Sequence, residues 1–343
     1  MTATGSALGP WRDDIDPAAH AAAVEALNEA CERGSTVLLA GHVGPDGDTL
    51  GSALALHLAL GAAGARTIPT VGEVPISVPR ELRPLPASDE LVPFDDLPDR
   101  DDIDLLVTLD AASPDRLGRV QELLGGGVRT LVVDHHVRAT DFGDIRLIAP
   151  HAAATVQLVA LLLDDLGLPL TVEVATCLYV GLVTDSGRFS YGTTDASALR
   201  LGARLLEAGV DHVAWNRRLF ETRSLGELQL LGQGLQRTVF VEHVGLVHTR
   251  LTHEELAQTG DDDDSLEALV DVVRSVDVAE VAMVLKPGTD GTWRGSLRSA
   301  GAVDVGRIAA SFGGGGHRAA AGFTTALDAG SVVERVTELL GEG

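Results

Sequence analysis

The chain has 343 residues, 45% of them hydrophobic, and carries a formal net charge of −24 at pH 7 with a pI near 4.7. This length predicts two domains, because single hydrophobic cores stop growing near roughly 250 residues. The negative charge argues against an extended groove for duplex nucleic acid, since such grooves need many Lys and Arg contacts to phosphates. It is compatible with a short anionic ligand held by a few local cations.

Neither export nor membrane insertion is indicated by the sequence. Cys31 and Cys177 lie in predicted helices without the paired spacing of a disulfide framework or a zinc knuckle, so a reducing, cytoplasmic location is expected. The first ten residues lack the basic and apolar regions of a secretory signal, and residues 1–15 are predicted to form a flexible leader. The longest apolar helix, residues 50–65, is too short to span a bilayer.

The first part of the chain alternates short apolar strands with helices. This order is typical of a doubly wound, mostly parallel α/β sheet. Asp16-Pro17 predicts the start of the first helix and Gly34 its end, and the Pro-rich segment that runs to Pro86 is predicted to be a loop. Strands are predicted at residues 36–40, 66–71, 103–109 and 131–133, and helices at residues 16–34, after residue 52, and at 115–124, 152–166 and 172–183.

The pattern changes in the second part of the chain, where short paired strands predict a smaller α/β domain with a mixed sheet. The change comes at residue 238, after helices predicted at residues 195–208 and 211–219 and a connector at 225–236. Beyond it, strands are predicted at 239–242, 246–250, 278–285 and 293–298, and a helix at 305–310. The acidic run at residues 261–264 is interpreted as a solvated loop rather than a metal site. The expected organisation is a first domain over residues 16–210, a helical linker over 211–237 and a second domain over 238–343.

Four of the predicted segments end in side chains that can bind metal or carry protons. Because the carboxyl ends of strands in an open α/β sheet meet at one edge, these side chains are expected to share a pocket. Glycines and a proline after the first strand allow a tight strand-to-helix turn there. The candidates are His42, Asp46 and Asp48 after the first strand, Asp110 after the third, Asp134, His135 and His136 after the fourth, and Asp185 at the end of a helix.

Each candidate also has a purely structural explanation. Asp46 and Asp48 are common turn residues, Asp110 could cap the helix that follows it, and Asp134 with its two histidines could form a hydrogen-bonded turn. Asp185 is harder to explain in this way, because the helix macrodipole opposes a carboxylate at a helix C-terminus unless a cation lies beside it. The recurrence of such residues at four segment ends favours a shared site.

The residue types in this set indicate which metal the site would take. Several carboxylates with one or two imidazoles and no thiolate suit a hard or borderline octahedral ion, which favours manganese over zinc and leaves magnesium as an alternative. Two such ions about 3.5–4 Å apart would clamp the attacking and leaving oxygens of a displacement at phosphorus. Carboxylates crowded this closely would repel one another without cations. The sequence therefore predicts a dinuclear site.

A glycine-rich stretch near the C-terminus is the other candidate for binding. A flexible linker is the alternative interpretation, but the stretch is followed at once by a histidine, an arginine and a predicted small-residue helix. Glycines allow backbone N–H groups to approach an anion closely, and side-chain donors can add to the same anion. A ligand-binding loop is therefore predicted, with Arg298 of the preceding predicted strand as a further donor, although Arg298 could equally be a surface cation. The candidates are Gly314, Gly315, Gly316, His317 and Arg298.

Taken together, these motifs resemble those of the DHH phosphoesterase family with its DHH-associated C-terminal domain. The resemblance extends over nearly the whole chain, from about residue 16 to residue 343, and the motifs occur in the family's order. The subgroup that it resembles is the NrnA-type nano-RNases, which are bifunctional oligoribonucleases and adenosine 3′,5′-bisphosphate phosphatases. The matching motifs are His42-x-x-x-Asp46-x-Asp48-x-x-Gly51-Ser52, Asp110, Asp134-His135-His136, Thr184-Asp185 and Gly314-Gly315-Gly316-His317-x-x-Ala320-Ala321-Gly322.

The resemblance implies a role for each of these residues. One manganese ion would be held by His42, Asp46 and Asp110, and the other by Asp48, Asp110, His135 and Asp185, with Asp110 shared. His136 would face the scissile phosphate as a hydrogen-bond donor or general acid, and Asp134 would orient the imidazoles. Arg298, Gly314, Gly315, Gly316 and His317 would bind the substrate.

The implied activity is metal-dependent hydrolysis of short nucleotides to mononucleotides, in a cleft between the two domains. The implied substrates are di- to pentanucleotides, adenosine 3′,5′-bisphosphate, and linear or cyclic di-adenosine nucleotides. The alternatives are a nucleotide-sensing module without turnover and a RecJ-like single-strand exonuclease, which the missing basic stripe disfavours. A manganese pyrophosphatase shares the first-domain motifs but not the C-terminal one. A homodimer is expected, although the sequence does not establish the oligomeric state.

Overall fold

The structure, a computed structural model, describes residues 9–137, 139–259, 264–288, 290–316 and 318–341, except for the side chains of residues 258–259 and 264–268. The chain divides into two compact units, Met1–Thr222 and Arg223–Gly343. In the described part of the chain, no helix is both long and apolar enough to cross a membrane.

The first unit contains a five-stranded sheet whose order is β2-β1-β3-β4-β5, with every neighbouring pair parallel. The predicted doubly wound parallel sheet is confirmed, with one strand, β5, that the sequence analysis did not predict. The strands are β1 (Thr36–Gly41), β2 (Arg66–Val71), β3 (Leu105–Leu109), β4 (Arg129–Asp134) and β5 (Ile145–Ile148). The helices are α1 (Pro17–Arg33), α2 (Gly47–Ala62), α3 (Thr155–Asp165), α4 (Val172–Asp185), α5 (Ala196–Glu207) and α6 (His212–Asn216).

Both faces of this sheet are buried, as expected for parallel strands. In β1, Val37 and Leu39 belong to the large core formed with the α-helices, whereas Leu38 and Ala40 face a smaller core on the opposite side. The second face is covered in part by Pro114–Leu123, which is a 3-10 segment and not the predicted α-helix. Gly118 lies within this segment at a positive φ of 53°, a conformation that interrupts regular helix.

The N-terminal segment departs from the prediction of a flexible leader. Residues 10–14 form a short 3-10 helix in which the side chain of Trp11 is only 2% exposed. Its indole Nε1 donates to Ser197 Oγ at 2.9 Å, and Asp14 accepts hydrogen bonds from the backbone N–H and Nδ1 of His151. Residues 9–15 therefore pack against the rest of the first unit, and the buried indole contributes a large apolar area to this contact. Residues 1–8 lie outside the described part.

The second unit contains a six-stranded mixed sheet of order β10-β11-β9-β8-β7-β6, in which only β7 and β8 are parallel. The predicted smaller α/β domain with a mixed sheet is confirmed. Alternate residues of β8 face separate cores, Met283 on one side and Val284 on the other. The elements are α7 (Leu225–Gln236), β6 (Val239–Val241), β7 (Leu246–Arg250), α8 (His253–Thr259), α9 (Asp264–Val273), β8 (Val281–Pro287), β9 (Trp293–Ser299), α10 (Val305–Ala310), β10 (Gly315–Gly316), β11 (Ala320–Thr325) and α11 (Ala329–Gly341).

One prediction for the second unit is tested only at its end, and another differs from the structure. Residues 261–263 of the acidic run predicted as a loop lie outside the described residues, and its last residue, Asp264, begins α9. The segment after Arg318, predicted as a small-residue helix, is the strand β11. Its alternation of buried Ala321 and Phe323 with more exposed neighbours explains why it is a strand, since that period of two belongs to a half-buried sheet.

Candidate metal centre

The connection between β1 and α2 places the first three candidates. His42 directly follows β1, and its Nδ1 lies 2.8 Å from the carbonyl oxygen of Val43 and 3.2 Å from Arg116 Nη2. Asp46 is the N-cap of α2, where its Oδ1 accepts from the backbone N–H groups of Asp48 and Thr49. The helix therefore begins at Gly47, earlier than predicted, and Asp48 lies buried in its first turn.

Asp110 follows β3 with a backbone conformation that is rare for a residue with a side chain, a positive φ of 58°. Its backbone N–H donates to the carbonyl of Val133, and its buried carboxylate accepts from the hydroxyls of Thr49 and Thr155. The alternative role as a helix cap is wrong, because Ser113 occupies the N-cap position of the following segment. Unusual backbone conformations of this kind cluster at functional sites.

The Asp134-His135-His136 motif lies at the end of β4, and hydrogen bonds fix its rings. Asp134 Oδ1 accepts from both histidine backbone N–H groups and lies 2.7 Å from His136 Nδ1. The His135 ring is held differently from the expectation, because its Nδ1 lies 3.1 Å from the carbonyl oxygen of Ala152 and not against Asp134. When Nδ1 donates to an oxygen, Nε2 carries the lone pair that a cation can use.

The N-terminus of α3 holds Asp48. Ala154 is the N-cap of this helix and supplies no side-chain cap, but the backbone N–H groups of Thr155 and Val156 donate to Asp48 at 2.6 and 3.0 Å. The carboxylate thus caps a helix that begins more than a hundred residues further along the chain. The N-terminus of a helix favours negative charge. These two bonds therefore fix the position of the Asp48 carboxylate and favour its ionised form.

The structure brings the candidate ligands together at the carboxyl ends of β1, β3 and β4. Asp185, the last residue of α4, completes the set, with its Oδ2 3.2 Å from His135 Nε2. Each of three groups has ligand atoms within 4.8 Å of one another: His42, Asp46 and Asp110; Asp48, His135 and Asp185; and Asp110, His135 and His136. Asp110 is common to two of the groups, so it lies between the two ligand sets that were expected.

Crowding of carboxylates perturbs their protonation. Burial, followed by the charge of Asp185, raises the pKa of Asp48 to about 7. Burial and the charge of Asp48 raise the pKa of Asp110 well above its usual range. Burial alone would lower the pKa of His135, but the carboxylates of Asp48 and Asp185 outweigh it and raise the pKa. The cluster therefore holds more negative charge than its own side chains neutralise.

This donor set fits divalent metal ions. It offers carboxylate oxygens and imidazole nitrogens, the ligands of manganese and magnesium, and it contains no thiolate. The Nε2 atoms of His42 and His135 each lie 3.6 Å from a carboxylate oxygen of Asp110. An imidazole and a carboxylate at this separation could bind the same cation. A cation between such groups would offset the burial and the mutual repulsion that raise the pKa values of Asp48 and Asp110.

Comparison with known proteins agrees with this geometry. The profile of the DHH family, N-terminal domain, matches residues 36–182, and that of the DHHA1 domain matches residues 243–342. The bifunctional oligoribonuclease and PAP phosphatase NrnA of Thermus thermophilus is 36% identical over 310 residues, which cover 89% of each chain. The chain belongs to the DHH family.

Two further proteins are similar over most of the chain. The cyclic-di-AMP phosphodiesterase PdeA of Listeria monocytogenes is 28% identical over 85% of this chain and 45% of its own length. The crystal structure of an exopolyphosphatase-related protein from Bacteroides fragilis has a TM-score of 0.88 and 25% identity, and the match covers 96% of this chain and 97% of that one.

The candidate substrate residues lie in the DHHA1 domain. Arg298, on β9, pairs with Ala282 of β8 and Ala320 of β11, and it lines a cavity of about 340 Å³ together with Arg274 and Glu280. Its guanidinium Nη1 donates to the carbonyl of Leu297 at 3.1 Å. His317 lies outside the described residues.

Gly315 and Gly316 of this DHHA1 motif form the edge strand β10, so neither the predicted loop nor the alternative of a flexible linker describes these two residues. Gly315 pairs with Gly322, and Gly316 pairs with Ala321. A Cβ on Gly316, at a φ of 141°, would lie 2.5 Å from Cα of Ala321, and one on Gly314 would clash with the Gly322 carbonyl. No described atom lies within 4 Å of a Cβ placed at Gly315. Close backbone packing thus accounts for two of the three glycines.

Sequence reasoning missed the residues that orient the ligands in this DHH site. The hydroxyls of Thr49 and Thr155 and the carbonyl of Ala152 all contact candidate ligands. Thr49 stands next to Asp48 in the first motif, which is a signal that could have identified it. Thr155 and Ala152 lie in an ordinary apolar segment, and their proximity depends on the packing of α3 against the sheet.

Proposed function

We propose that this protein is a metal-dependent phosphoesterase that hydrolyses short nucleotides to mononucleotides. The observation that carries the proposal is the convergence of six carboxylate and imidazole ligands, with Asp110 among them, at the carboxyl edge of the first sheet. Similarity to the Thermus oligoribonuclease and PAP phosphatase over 89% of both chains supports the same reaction class. The alternative of a sensing module is disfavoured, because every ligand position is occupied by a side chain that can bind metal.

The side chains divide into two ligand sets. His42, Asp46 and Asp110 would hold one ion, and Asp48, Asp110, His135 and Asp185 would hold the other. Manganese is proposed for both positions, with magnesium as the alternative, on the basis of the oxygen and nitrogen donors. When bound, such ions supply a Lewis acid for the phosphoryl oxygen and lower the pKa of a water molecule.

The remaining residues of the motif are proposed to act on the substrate. Asp134 Oδ1 accepts from His136 Nδ1 at 2.7 Å. This bond fixes the ring so that Nε2 points away from Asp134. His136 is half-buried, so the ring remains accessible to a phosphate. We assign it the role of hydrogen-bond donor or general acid toward the departing oxygen. Asp134 is assigned the role of orienting that ring.

Arg298, Gly314, Gly315, Gly316 and His317 are proposed to bind the substrate. The cavity beside Arg298 and the open space at Gly315 support this assignment. For His317 the support is the sequence motif alone. We further propose that residues 16–210 carry the metals, that residues 211–237 form a helical linker, and that residues 238–343 bind the nucleotide. The boundary between the compact units falls after Thr222, within that linker.

Location and assembly are also proposals. A cytoplasmic location is supported by the presence of Cys31 and Cys177 as free thiols. A homodimer is supported only by exposed apolar side chains such as Leu199 and Leu206, which lie one heptad apart on α5. Sedimentation equilibrium would measure the oligomeric state directly, and a mass equal to one chain would contradict the dimer.

A substrate panel tests the function. Metal-free protein is supplied with manganese and given a dinucleotide, adenosine 3′,5′-bisphosphate, a cyclic di-adenosine nucleotide and a long single strand. Manganese-dependent release of mononucleotide from at least one of the three short substrates is expected, with little product from the long strand. Binding of all four without turnover would favour the sensing module, and processive degradation of the long strand would favour a RecJ-like exonuclease.

A further inference from the structure

Two buried threonines contact opposite oxygens of the same carboxylate. Thr49 Oγ1 donates to Asp110 Oδ2 at 2.9 Å, and Thr155 Oγ1 donates to Asp110 Oδ1 at 3.0 Å. Both threonines are fully buried, and Asp110 is nearly so. Thr49 lies in the first turn of α2 and Thr155 is the first residue of α3, so the two hydroxyls come from different helices.

Each threonine also contacts a second candidate ligand through its backbone. The N–H of Thr49 donates to Asp46 Oδ1 at 3.0 Å, and the N–H of Thr155 donates to Asp48 Oδ2 at 2.6 Å. Thr49 therefore ties Asp110 to a carboxylate of one ligand set, and Thr155 ties it to a carboxylate of the other.

The two oxygens of Asp110 face different imidazoles. Oδ2 lies 3.6 Å from His42 Nε2, and Oδ1 lies 3.6 Å from His135 Nε2. A carboxylate oxygen has two lone-pair directions, so one hydroxyl donor on each oxygen leaves one direction for a cation. Rotation of the carboxylate about its Cβ–Cγ bond would break both threonine bonds and turn both oxygens away from their imidazoles.

We propose that Thr49 and Thr155 are positioning residues that fix the rotation of the Asp110 carboxylate, so that Oδ2 serves the His42 ligand set and Oδ1 serves the His135 set. The inference rests on the proposed metal centre. It adds that each hydroxyl governs one ion, because each is bonded to the oxygen that faces one set. Removal of a merely structural hydroxyl, by contrast, would change the stability of the fold without weakening one ion more than the other.

The test compares the isosteric variants Thr49→Val and Thr155→Val, which remove the hydroxyl and keep both backbone N–H bonds. Thr49→Ser and Thr155→Ser restore a hydroxyl. The matched control is Thr108→Val, because Thr108 is a fully buried residue of β3 whose hydroxyl has no hydrogen-bond partner among the described residues. Circular dichroism checks the fold, and Thr→Ala variants at the same two positions replace any valine variant that does not fold.

Manganese binding to metal-free protein is measured by calorimetry, with electron paramagnetic resonance to detect coupled pairs of ions. Each valine variant is expected to weaken one of two ions about 10–100-fold, the usual effect of removing a group that orients a ligand. The serine variants should regain most of the affinity, and Thr108→Val should bind like the wild type. Wild-type affinities in both valine variants would overturn the inference.

Double variants assign each hydroxyl to its ion. In an Asp46→Ala protein, which lacks a ligand of the His42 set, Thr155→Val should still weaken the remaining ion and Thr49→Val should have little effect. In an Asp185→Ala protein the two results should be exchanged. Equal effects of both threonines in both backgrounds would contradict the assignment of one hydroxyl to one ion. A wild-type protein that binds fewer than two ions would instead refute the proposed metal centre.

Discussion

The two sheets place their candidate functional residues in different ways. At the carboxyl edge of the first sheet, the side chains are far apart along the chain and are held by donors from other elements, as Asp48 is held by the N-terminus of α3. At the edge of the second sheet, the glycines are consecutive and are held by strand pairing. In the first region, residue identity reflects chemistry. In the second region, a glycine can be required either by close backbone packing or by contact with a ligand. Experiments have to separate these two requirements.

The substitution Asp110→Asn should have the largest effect, because it alters the carboxylate shared by both ligand sets. We expect kcat/KM for the preferred short substrate to fall about 10³-fold or more, which corresponds to about 4 kcal/mol of transition-state stabilisation. The melting temperature of the metal-free protein should rise, since a buried carboxylate with a raised pKa is removed from a crowded cluster.

The control for this substitution is Asp141→Asn, which changes a carboxylate that is 90% exposed. Its kinetics should match those of the wild type. Near-normal hydrolysis by Asp110→Asn would show that the clustered carboxylates and imidazoles of the first sheet serve the fold and not the reaction. The residues of both sheet edges would then be explained by packing alone.

The glycine edge offers a matched comparison within three residues. Gly316→Ala should destabilise the protein by about 1–3 kcal/mol, because it combines a positive φ with a contact to the backbone of Ala321. Gly315→Ala should leave stability nearly unchanged, since its Cβ meets open space. Chemical denaturation followed by fluorescence measures both.

Activity then separates packing from binding at this edge. If Gly315→Ala raises KM while the free energy of unfolding is unchanged, the open position contacts the nucleotide. If KM is also unchanged, the proposed substrate role of Gly315 is wrong.

Much of the first region could be predicted from the sequence. Apolar strands that stop at Asp110 and at Asp134 mark the edge of a parallel sheet, and the chain order of the motifs matches a known family. What could not be predicted is the set of bonds that orient the ligands. Thr155 and the carbonyl of Ala152 reach the site only through the packing of α3, which no local pattern encodes.

Where the sequence analysis was wrong, tertiary packing overrode a local signal. Gly314, Gly315 and Gly316 were interpreted as a ligand-binding loop, because glycines let backbone N–H groups approach an anion, yet residues 315–316 pair with β11, and a Cβ at Gly314 or Gly316 would clash with that strand. The segment Pro114–Leu123 has an amphipathic pattern but carries Gly118 at a positive φ, so it forms 3-10 turns and not an α-helix.

A smaller effect is expected from Arg298→Ala. If the arginine binds a substrate phosphate, its removal should raise KM about 10-fold with little change in kcat, because the contact is made equally in the ground state and the transition state. His317→Ala should have the same signature. Arg274→Ala, which changes another cation of the cavity, serves as the comparison. An unchanged KM for Arg298→Ala would remove this strand from the substrate site.

The smallest effect is the pH dependence of stabilisation by manganese. In the metal-free fold the pKa of Asp48 is about 7, because of burial and the charge of Asp185, whereas an unfolded chain has an ordinary pKa near roughly 3.9. Between these values the folded state binds a proton that the unfolded state has already lost. The contribution of Asp48 to stability is therefore most favourable at low pH and is lost as the pH rises toward and through 7.

A cation takes the place of that proton, so the melting-temperature gain on adding manganese should be larger at pH 7.5 than at pH 5.5, by about 2–4 °C for each kcal/mol of difference. Differential scanning calorimetry of the metal-free and manganese-loaded protein at both pH values measures it. Asp48→Asn should flatten the dependence, because the neutral amide neither binds the proton nor repels Asp185. An equal gain at both pH values in the wild type would mean that Asp48 is ionised without metal, and that the α3 N-terminus alone stabilises its charge.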